Sequence, residues 1–526
     1  MNRGLLLALL AALAVALALR VPQLADRPLH NDEAVNTIKF RALWEKGGYR
    51  YDPNEHHGPT LFYATLAWLR LTGAPGFVRM GEADFRWVTV LFGVGLILLL
   101  PLLADGLGRG GTAAAAGLTA VSPAFVFYSR YFIHEMLLVW CTLLLLAAAW
   151  RYHRRPHWGW AVLAGAGLGL MQATKETFVL NLAAMAAGIA ANWLWVRWAA
   201  PPGAPRPTPL ATLRALISPA HLAAAAGVTV LVAVVLFSSF FTNASGPLDS
   251  FRTYLPWVNR AAGASPHLHP WNYYLEHLLW FHPKAGHWFS EAFIAGLAVV
   301  GAATGFRRRT AENAEPDSGL IRFLAVYTLV LTVLYCGIAY KTPWCLLGFW
   351  HGAVLLAGVG AAAWWRAARR EAGRLVPGLA LAAGTAHLAW QAWQLDTVYA
   401  TDRRNPYIYS QTSESLLELV DLVRGVAATA AEGDHLRLKV MAPDSDYWPL
   451  PWYLRQFDQI GWFDGRPADP TAPIVVAATK LDVALDDQKT HFMVGIFELR
   501  PQVFLQLYVR RDLWNQYLAK RPKPAE

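Results

Sequence analysis

The sequence predicts a mainly α-helical, polytopic membrane protein that ends in a small α/β domain. Three observations carry that prediction. Apolar residues fill 55% of the 526 positions and charged residues only 16%, against about 25% charged in soluble domains; mean hydropathy is +0.28. The apolar residues gather into runs close to the length of about 20 residues that crosses a bilayer. The basic residues sit in short blocks between those runs. Together these exclude a water-soluble protein, a disordered chain and a disulfide-stapled secreted domain. The net charge of +10 is therefore a topology signal, not the basic stripe of a nucleic-acid groove. The three cysteines, Cys141, Cys336 and Cys345, form no CxxC pair and no disulfide framework.

About eleven spans are expected, near 4–20, 84–104, 112–129, 133–150, 158–174, 178–196, 219–240, 288–305, 319–340, 344–365 and 376–395. The first has Arg3 before a short apolar stretch but no small-x-small cleavage site after it, and reads as an uncleaved anchor. Arg109, the group Arg151/Arg154/Arg155, the group Arg197/Arg206/Arg214, the group Arg307/Arg308/Arg309/Arg322 and the group Arg366/Arg369/Arg370/Arg374 fall on one side. The positive-inside rule makes that side cytoplasmic and puts the N-terminus inside. Loops 21–83 and 241–287 and the tail then lie outside. The segment 58–73, too short to span and bounded by Pro59 and Gly73, reads as an interfacial helix on the outer surface. The Pro-rich stretch PPGAPRPTP reads as a cytoplasmic linker, and GRGG near 108–111 as a turn lacking the Walker pattern.

Two domains follow: residues 1–395 in the membrane and an extracytoplasmic α/β domain over 396–526. In the tail the amphipathic stretch SESLLELVDLV precedes short apolar runs at LRLKVMA, PIVVAA and FMVGIF, the pattern of a helix followed by buried strands. Asp444 and Asp446 in PDSD read as turn residues rather than metal ligands.

Ionisable groups at the membrane edge are costly and mark function by default. Four clusters qualify, all on the predicted outer side. His30-Asn31-Asp32-Glu33 offers adjacent carboxylates as a general base for a hydroxyl, as metal ligands, or as the N-cap of the helix that follows, begun by Asn31 or Asp32. In YDPNEHHGP, His56 and His57 precede Gly58-Pro59; they lack the HExxH spacing of a zinc site and read as a hydrogen-bonding loop at a substrate mouth. In SRYFIHE, Arg130, His134 and Glu135 stand together; the guanidinium suits a phosphate or a carboxylate, and a simple Arg130–Glu135 pair is the plainer reading. Lys175-Glu176 in TKET and Lys341 in YKTPW place one lysine each at the outer end of a helix hairpin. Snorkelling explains either alone; with Arg130 they suggest a site that neutralises a phosphate at the membrane surface. The Trp-, Tyr- and His-rich stretches FRTYLPWVNR and HPWNYYLEHLLWFHPKAGHWF of loop 241–287 suit an interfacial belt or a sugar-binding platform. Asn243-Ala244-Ser245 fits the glycosylation pattern, a match too short to carry weight.

The motifs LHNDEAV, YDPNEHHGPTLFY, YSRYFIHEMLL, QATKETF, YKTPWCLLGFW, YWPLPWYLRQF and FELRPQVFLQLYVRRDLW, taken as an ordered set, resemble the GT-C superfamily of polytopic glycosyltransferases. Its members include protein O-mannosyltransferases, lipid A aminoarabinose transferases and oligosaccharyltransferase catalytic subunits. The pattern is nearest to the branch called "flippase activity-associated". The resemblance implies a glycosyltransferase of the cytoplasmic membrane that takes a sugar from a polyprenyl-phosphate donor to a glycan, lipid or protein acceptor on the outer face. It implies that Asp32, with Glu33 beside it, is the catalytic base or sits at a metal, that Arg130 and Glu135 match the next outer-loop motif, and that Lys175 matches the lysine after the fifth span, with KET where some relatives have Lys-Gly-Pro. Binding of substrate is expected from His56, His57, Arg130, His134, Glu135, Lys175, Glu176 and Lys341. No motif demands a cofactor or metal, and the superfamily leaves room for a divalent cation. No nucleic-acid partner is expected. The alternative reading is a non-enzymatic protein that binds a lipid-linked glycan or assists a flippase. A solute transporter fits less well, since transporters place their ionisable groups near the midplane.

Overall fold

The structure, a computed structural model, describes residues 2–54, 57–200, 208, 218–257, 267–284, 286–307, 316–368 and 371–520. His56, the bulk of the Pro-rich linker, Val258–Arg260, and Arg206, Arg214, Arg308, Arg309, Arg369 and Arg370 lie outside the described residues. By compactness the chain divides into two units. The first comprises Met1–Leu24, Gly47–Thr72 and Phe85–Tyr407; the second comprises Ala25–Lys46, Gly73–Asp84 and Ile408–Glu526.

Every one of the eleven apolar runs folds as helix: Arg3–Arg20, Glu82–Leu99, Arg109–Val121 with Pro123–Ser129, Glu135–Arg154, Trp158–Gln172, Phe178–Ala199, Pro219–Phe237, Ala292–Gly305, Ser318–Gly337, Leu347–Ala367 and Glu371–Thr397. Seven are long and apolar enough to cross a membrane, or eight if the bent pair Arg109–Val121/Pro123–Ser129 is one span. That pair turns by 57° at Ser122-Pro123, where proline has no amide to continue the ladder. Trp158–Gln172 and Ala292–Gly305 have only 15 and 14 residues, shorter than a comfortable span. The segment read as interfacial forms the helix Thr60–Leu71.

Close approach of these helices depends on residues without side chains. A Cβ on Gly301 would stand 1.9 Å from the carbonyl oxygen of Leu356, and one on Gly360 would stand 1.9 Å from that of Leu297. Each glycine thus makes room for the other helix's backbone, the small-residue packing used where lipid offers no hydrophobic drive.

The second unit is built on a five-stranded sheet: β1 Leu438–Met441, β2 Ile460–Phe463, β3 Ile474–Ala478, β4 His491–Arg500 and β5 Val503–Arg510, in the order β2-β1-β3-β5-β4. β1 runs parallel to β2 and β3, with Leu438 opposite both Ile460 and Ile474; β5 runs antiparallel to β3 and β4. Met441, Val475, Ala477, Leu485 and Tyr508 form a buried core. The helix Ser415–Ala427 buries Leu416, Leu419, Val420 and Val423, the spacing of one helical face. PDSD forms a turn in which Asp444 and Ser445 have φ of 57°; Asp446 pairs with Arg500 and lies 3.8 Å from Lys480.

Two pieces of the first predicted outer loop belong to this unit. Trp452 Nε1 donates to Glu82 at 3.0 Å, with Phe77 edge-on to its ring and the Arg455 guanidinium 3.4 Å above it. Tyr453 Oη accepts the Leu29 amide at 2.8 Å, and Gln411 and Thr412 donate to the carbonyls of Pro28 and Leu29. The tail thus anchors the chain that carries His30-Asn31-Asp32-Glu33.

Candidate functional site

In the second unit the helix Asn31–Lys46 begins directly after His30. The His30 carbonyl accepts the Ala34 amide at 3.0 Å, and Glu33 Oε2 reaches back to accept the His30 amide at 2.9 Å. That is the reciprocal half of a capping box. The cap is His30, not Asn31 or Asp32 as the sequence suggests. His30 Nδ1 accepts the Asp32 amide at 3.1 Å, which leaves the proton on Nε2 to donate to the Tyr409 carbonyl at 2.8 Å. Glu33 is fully buried with Arg27 3.7 Å away. Asp32 is half-buried, and its carboxylate makes no hydrogen bond or ion pair among the described residues. The two neighbours have separated: one carboxylate is bound inside the fold, the other is unused.

In the first unit five predicted site residues come together: His57, His134, Glu135, Lys175 and Glu176. A short antiparallel bridge joins His57 to Lys175. The Gly58 amide donates to the Thr174 carbonyl at 3.1 Å and the Thr60 amide to that of Ala173 at 3.0 Å. A Cβ on Gly58 would lie 2.1 Å from the Ala173 oxygen, so the glycine of HHGP is required for the chains to approach. His134 Nε2 donates to the Gly58 carbonyl at 3.1 Å, and its ring lies 4.9 Å from that of His57.

The charges of this cluster are paired across loops. Lys175 binds Glu135, the first residue of the helix Glu135–Arg154; both are about 5% exposed. Burial alone would lower the Lys175 pKa, but Cys345, whose Sγ lies 4.0 Å from the ammonium, and Glu135 hold it well above the ordinary lysine value. Glu176 Oε2 lies 3.2 Å from His57 Nδ1. Burial alone would raise the Glu176 carboxyl; the neighbouring His57 imidazole and Lys175 hold it below its ordinary value. Tyr254 donates to the Glu176 carbonyl at 3.2 Å.

Lys175 and Glu135 line a narrow pocket of about 20 Å³, room for a single water molecule. On the helix Glu135–Arg154 its lining residues Glu135, Leu138, Thr142 and Leu146 recur every three or four positions, a stripe roughly 16 Å long at about 1.5 Å per residue. Tyr335, His351 and Leu355 of two neighbouring helices also face it.

Two predicted phosphate partners are placed elsewhere. Arg130 does not pair with Glu135: its Nε lies 3.2 Å from Asp396, and its Nη atoms donate to the carbonyls of Pro22 and Gln23 at 2.7 and 2.9 Å. Its fork geometry is used to tie three chain segments together. Lys341 is buried, and its ammonium donates to the carbonyl of Ile338, just past the helix Ser318–Gly337, and to that of His269 at 3.2 Å. Cations are favourable at such a carbonyl-rich terminus. The sequence reading missed Asp396, a carboxylate near the end of an apolar helix, and Glu291, whose buried oxygens accept Ser122 Oγ, Tyr407 Oη, the Trp350 indole and the Ala124 amide at 2.5 to 2.9 Å. A lone acid at the edge of an apolar run was the available signal for each. Among the described residues, no three His, Cys, Asp or Glu side chains are grouped as metal ligands.

A bundle of apolar helices with a small mixed sheet, carrying charged loops at helix ends, is the GT-C architecture, and the chain is an integral membrane protein of that fold. A sequence profile of the dolichyl-phosphate-mannose–protein mannosyltransferase family matches residues 56–204, the stretch that holds His57, Arg130, Glu135 and Lys175. Among solved structures the chain is similar to ArnT from Cupriavidus metallidurans bound to undecaprenyl phosphate, with a TM-score of 0.60 and 16% identity over 95% of this chain and 97% of that one. It is also similar to the Archaeoglobus fulgidus oligosaccharyltransferase tethered to an acceptor peptide, with a TM-score of 0.55 and 12% identity over 94% of this chain and 72% of that one. A search among curated proteins finds no match.

Proposed function

We propose that the protein is an inverting glycosyltransferase that moves a sugar from a polyprenyl-phosphate donor to an acceptor on the outer face of the cytoplasmic membrane, with its N-terminus inside. The observation that carries this reading is the buried Lys175 ammonium, paired with Glu135, in a narrow pocket between the helices Glu135–Arg154, Ser318–Gly337 and Leu347–Ala367. Such a place suits an anionic head on a hydrocarbon chain. The undecaprenyl phosphate held by the ArnT structure, a protein of the same fold, supports that ligand class.

In this reading Asp32 accepts the proton of the acceptor hydroxyl as its oxygen bonds to the anomeric carbon. The bond from that carbon to the phosphate oxygen breaks, and its electron pair leaves with the lipid phosphate. Lys175 offsets the charge that grows there. Glu33, spent on the helix cap, holds the loop in shape. Arg130 and Lys341, fully engaged within the fold, are not assigned to the phosphate.

The test is product formation by purified protein given polyprenyl-phosphate sugar, compared with Asp32→Asn. Loss of transfer with lipid binding retained supports the reading. Full turnover by the variant removes Asp32 from the role. Lipid binding without any product favours the non-enzymatic reading.

A further inference from the structure

The sheet unit holds a second gathering of polar and aromatic side chains, and its topology says where to look. β2, β1 and β3 run parallel, with Met441 opposite both Phe463 and Ala477. The loops that follow these three strands therefore leave one edge of the sheet side by side, about 4.8 Å apart. β5 runs antiparallel to β3 and to β4, so β4 points the same way as β3 and delivers its last residue, Arg500, to that edge. From β1 the chain moves to β2 on one side and then to β3 on the other. Open α/β sheets bind ligands in the crevice at the carboxyl ends of the strands, where the strand order reverses in this way.

The side chains at this edge define the chemistry that fits. The loop after β1, Pro443-Asp444-Ser445-Asp446-Tyr447, has no glycine and holds two acids, the reverse of a phosphate-binding turn. Asp446 pairs with Arg500 and lies 3.8 Å from Lys480, two residues past β3. Ser445 Oγ lies 3.5 Å from Asp464, the first residue after β2. These contacts tie the three loops together. Phe463 packs on the buried core around Val475. Its neighbour Trp462 points to the opposite face of β2, where the Tyr447 ring lies 4.9 Å away. Both rings are half-buried, and Asp444 is exposed. Among the described residues the Tyr447 hydroxyl, the Trp462 indole N–H and the Asp444 carboxylate have no hydrogen-bond partner. Aromatic side chains of this kind usually satisfy their polar tips when they are covered. Here the tips stand open beside a carboxylate. The acids are not grouped as metal ligands among the described residues, and an acidic loop repels an anion. Ring faces beside free donors and acceptors suit a pyranose, whose C–H face stacks and whose hydroxyls both donate and accept.

We propose that this edge of the sheet binds an uncharged carbohydrate, stacked on Trp462 and Tyr447 and hydrogen-bonded by Asp444. The site uses none of the residues around Lys175 and requires neither a lipid phosphate nor sugar transfer.

The experiment is saturation-transfer NMR on the full-length protein in nanodiscs, free of glycoside detergent, with maltotetraose, cellotetraose, mannotetraose and chitotetraose as probes. The wild type is expected to transfer saturation to the ring C–H protons of at least one of them. Trp462→Ala is expected to weaken the Kd for that probe by about tenfold or more, the loss of one covered aromatic face. Asp444→Asn, which tolerates the same backbone φ of 57°, is expected to weaken it by about three- to tenfold, the difference between a charged and a neutral acceptor. Melting temperatures verify that both variants fold. No saturation transfer to any probe from the wild type overturns the proposal. An unchanged Kd in Trp462→Ala also overturns it, by placing the sugar elsewhere on the chain. Tighter binding of the anionic probe tetragalacturonate than of every neutral one overturns the ligand class. None of these outcomes touches the assignment of Lys175, which rests on other residues and another ligand.

Discussion

The loop at His30–Glu33 and the loops around Lys175 both gather carboxylates, and they use them in opposite ways. Around Lys175 both acids are committed: Glu135 to the ammonium and Glu176 to the His57 imidazole. At His30–Glu33 only one is committed, Glu33 to the helix cap, and the Asp32 carboxylate has no partner among the described residues. A carboxylate bound to a cation is poised to stabilise or to be displaced. One without a partner is available to take a proton. In the proposed function this difference would separate binding from proton transfer, although each loop presents an adjacent or near-adjacent mixture of charges in sequence.

The largest expected effect breaks the comparison on the Asp32 side. Asp32→Asn should reduce sugar transfer by about 10²–10⁴-fold, the range for removal of a general base, with lipid affinity unchanged; a rate assay beside a binding assay checks both. On the other side, Lys175→Met leaves Glu135 buried without its cation and should cost about 3–5 kcal/mol of stability, read as a lowered Tm in detergent. Adding Glu135→Leu should recover much of that stability and none of the lipid binding, which divides the structural role of the pair from its ligand role. Gly58→Ala forces a methyl against the Ala173 carbonyl and should cost about 1–3 kcal/mol as overpacking does; a normal Tm would mean that the bridge is not rigid. Glu33→Gln should cost about 1–3 kcal/mol through loss of a charged hydrogen-bond partner and alter transfer far less than Asp32→Asn. The smallest effect is one of pH. The Glu176 carboxyl is held below its ordinary value of 4.5, against burial, by His57 and Lys175. The stability it contributes is present above that value and is lost as pH falls through the lowered one. Melting curves should therefore show a constant Glu176 contribution between pH 7 and 5 and a decline below that, absent in Glu176→Gln.

Much of this was legible in sequence, because hydrophobic length and residue type are local. All eleven apolar runs are helices, the tail is an α/β unit, and five candidate residues drawn from three motifs lie together. What was not legible depends on long-range pairing. Arg130 looked like a phosphate ligand beside Glu135; its true carboxylate, Asp396, is more than 250 positions away. Lys341 looked like a twin of Lys175, yet one lysine meets a carboxylate and the other a helix end. The capping role of Glu33 is a three-residue pattern and was readable, but its consequence, that Asp32 alone is left unused, needed the hydrogen bonds. No periodicity could reveal that residues 25–46 and 73–84 belong with the tail, since Trp452, Tyr453 and Gln411 reach them from far along the chain.

The most direct measurement of the central claim is native mass spectrometry of the purified protein with undecaprenyl phosphate, wild type against Lys175→Gln. The expected result is one lipid retained per wild-type chain and none on the variant. Equal retention by Lys175→Gln, with its fold verified, would contradict the placement of the lipid phosphate at Lys175.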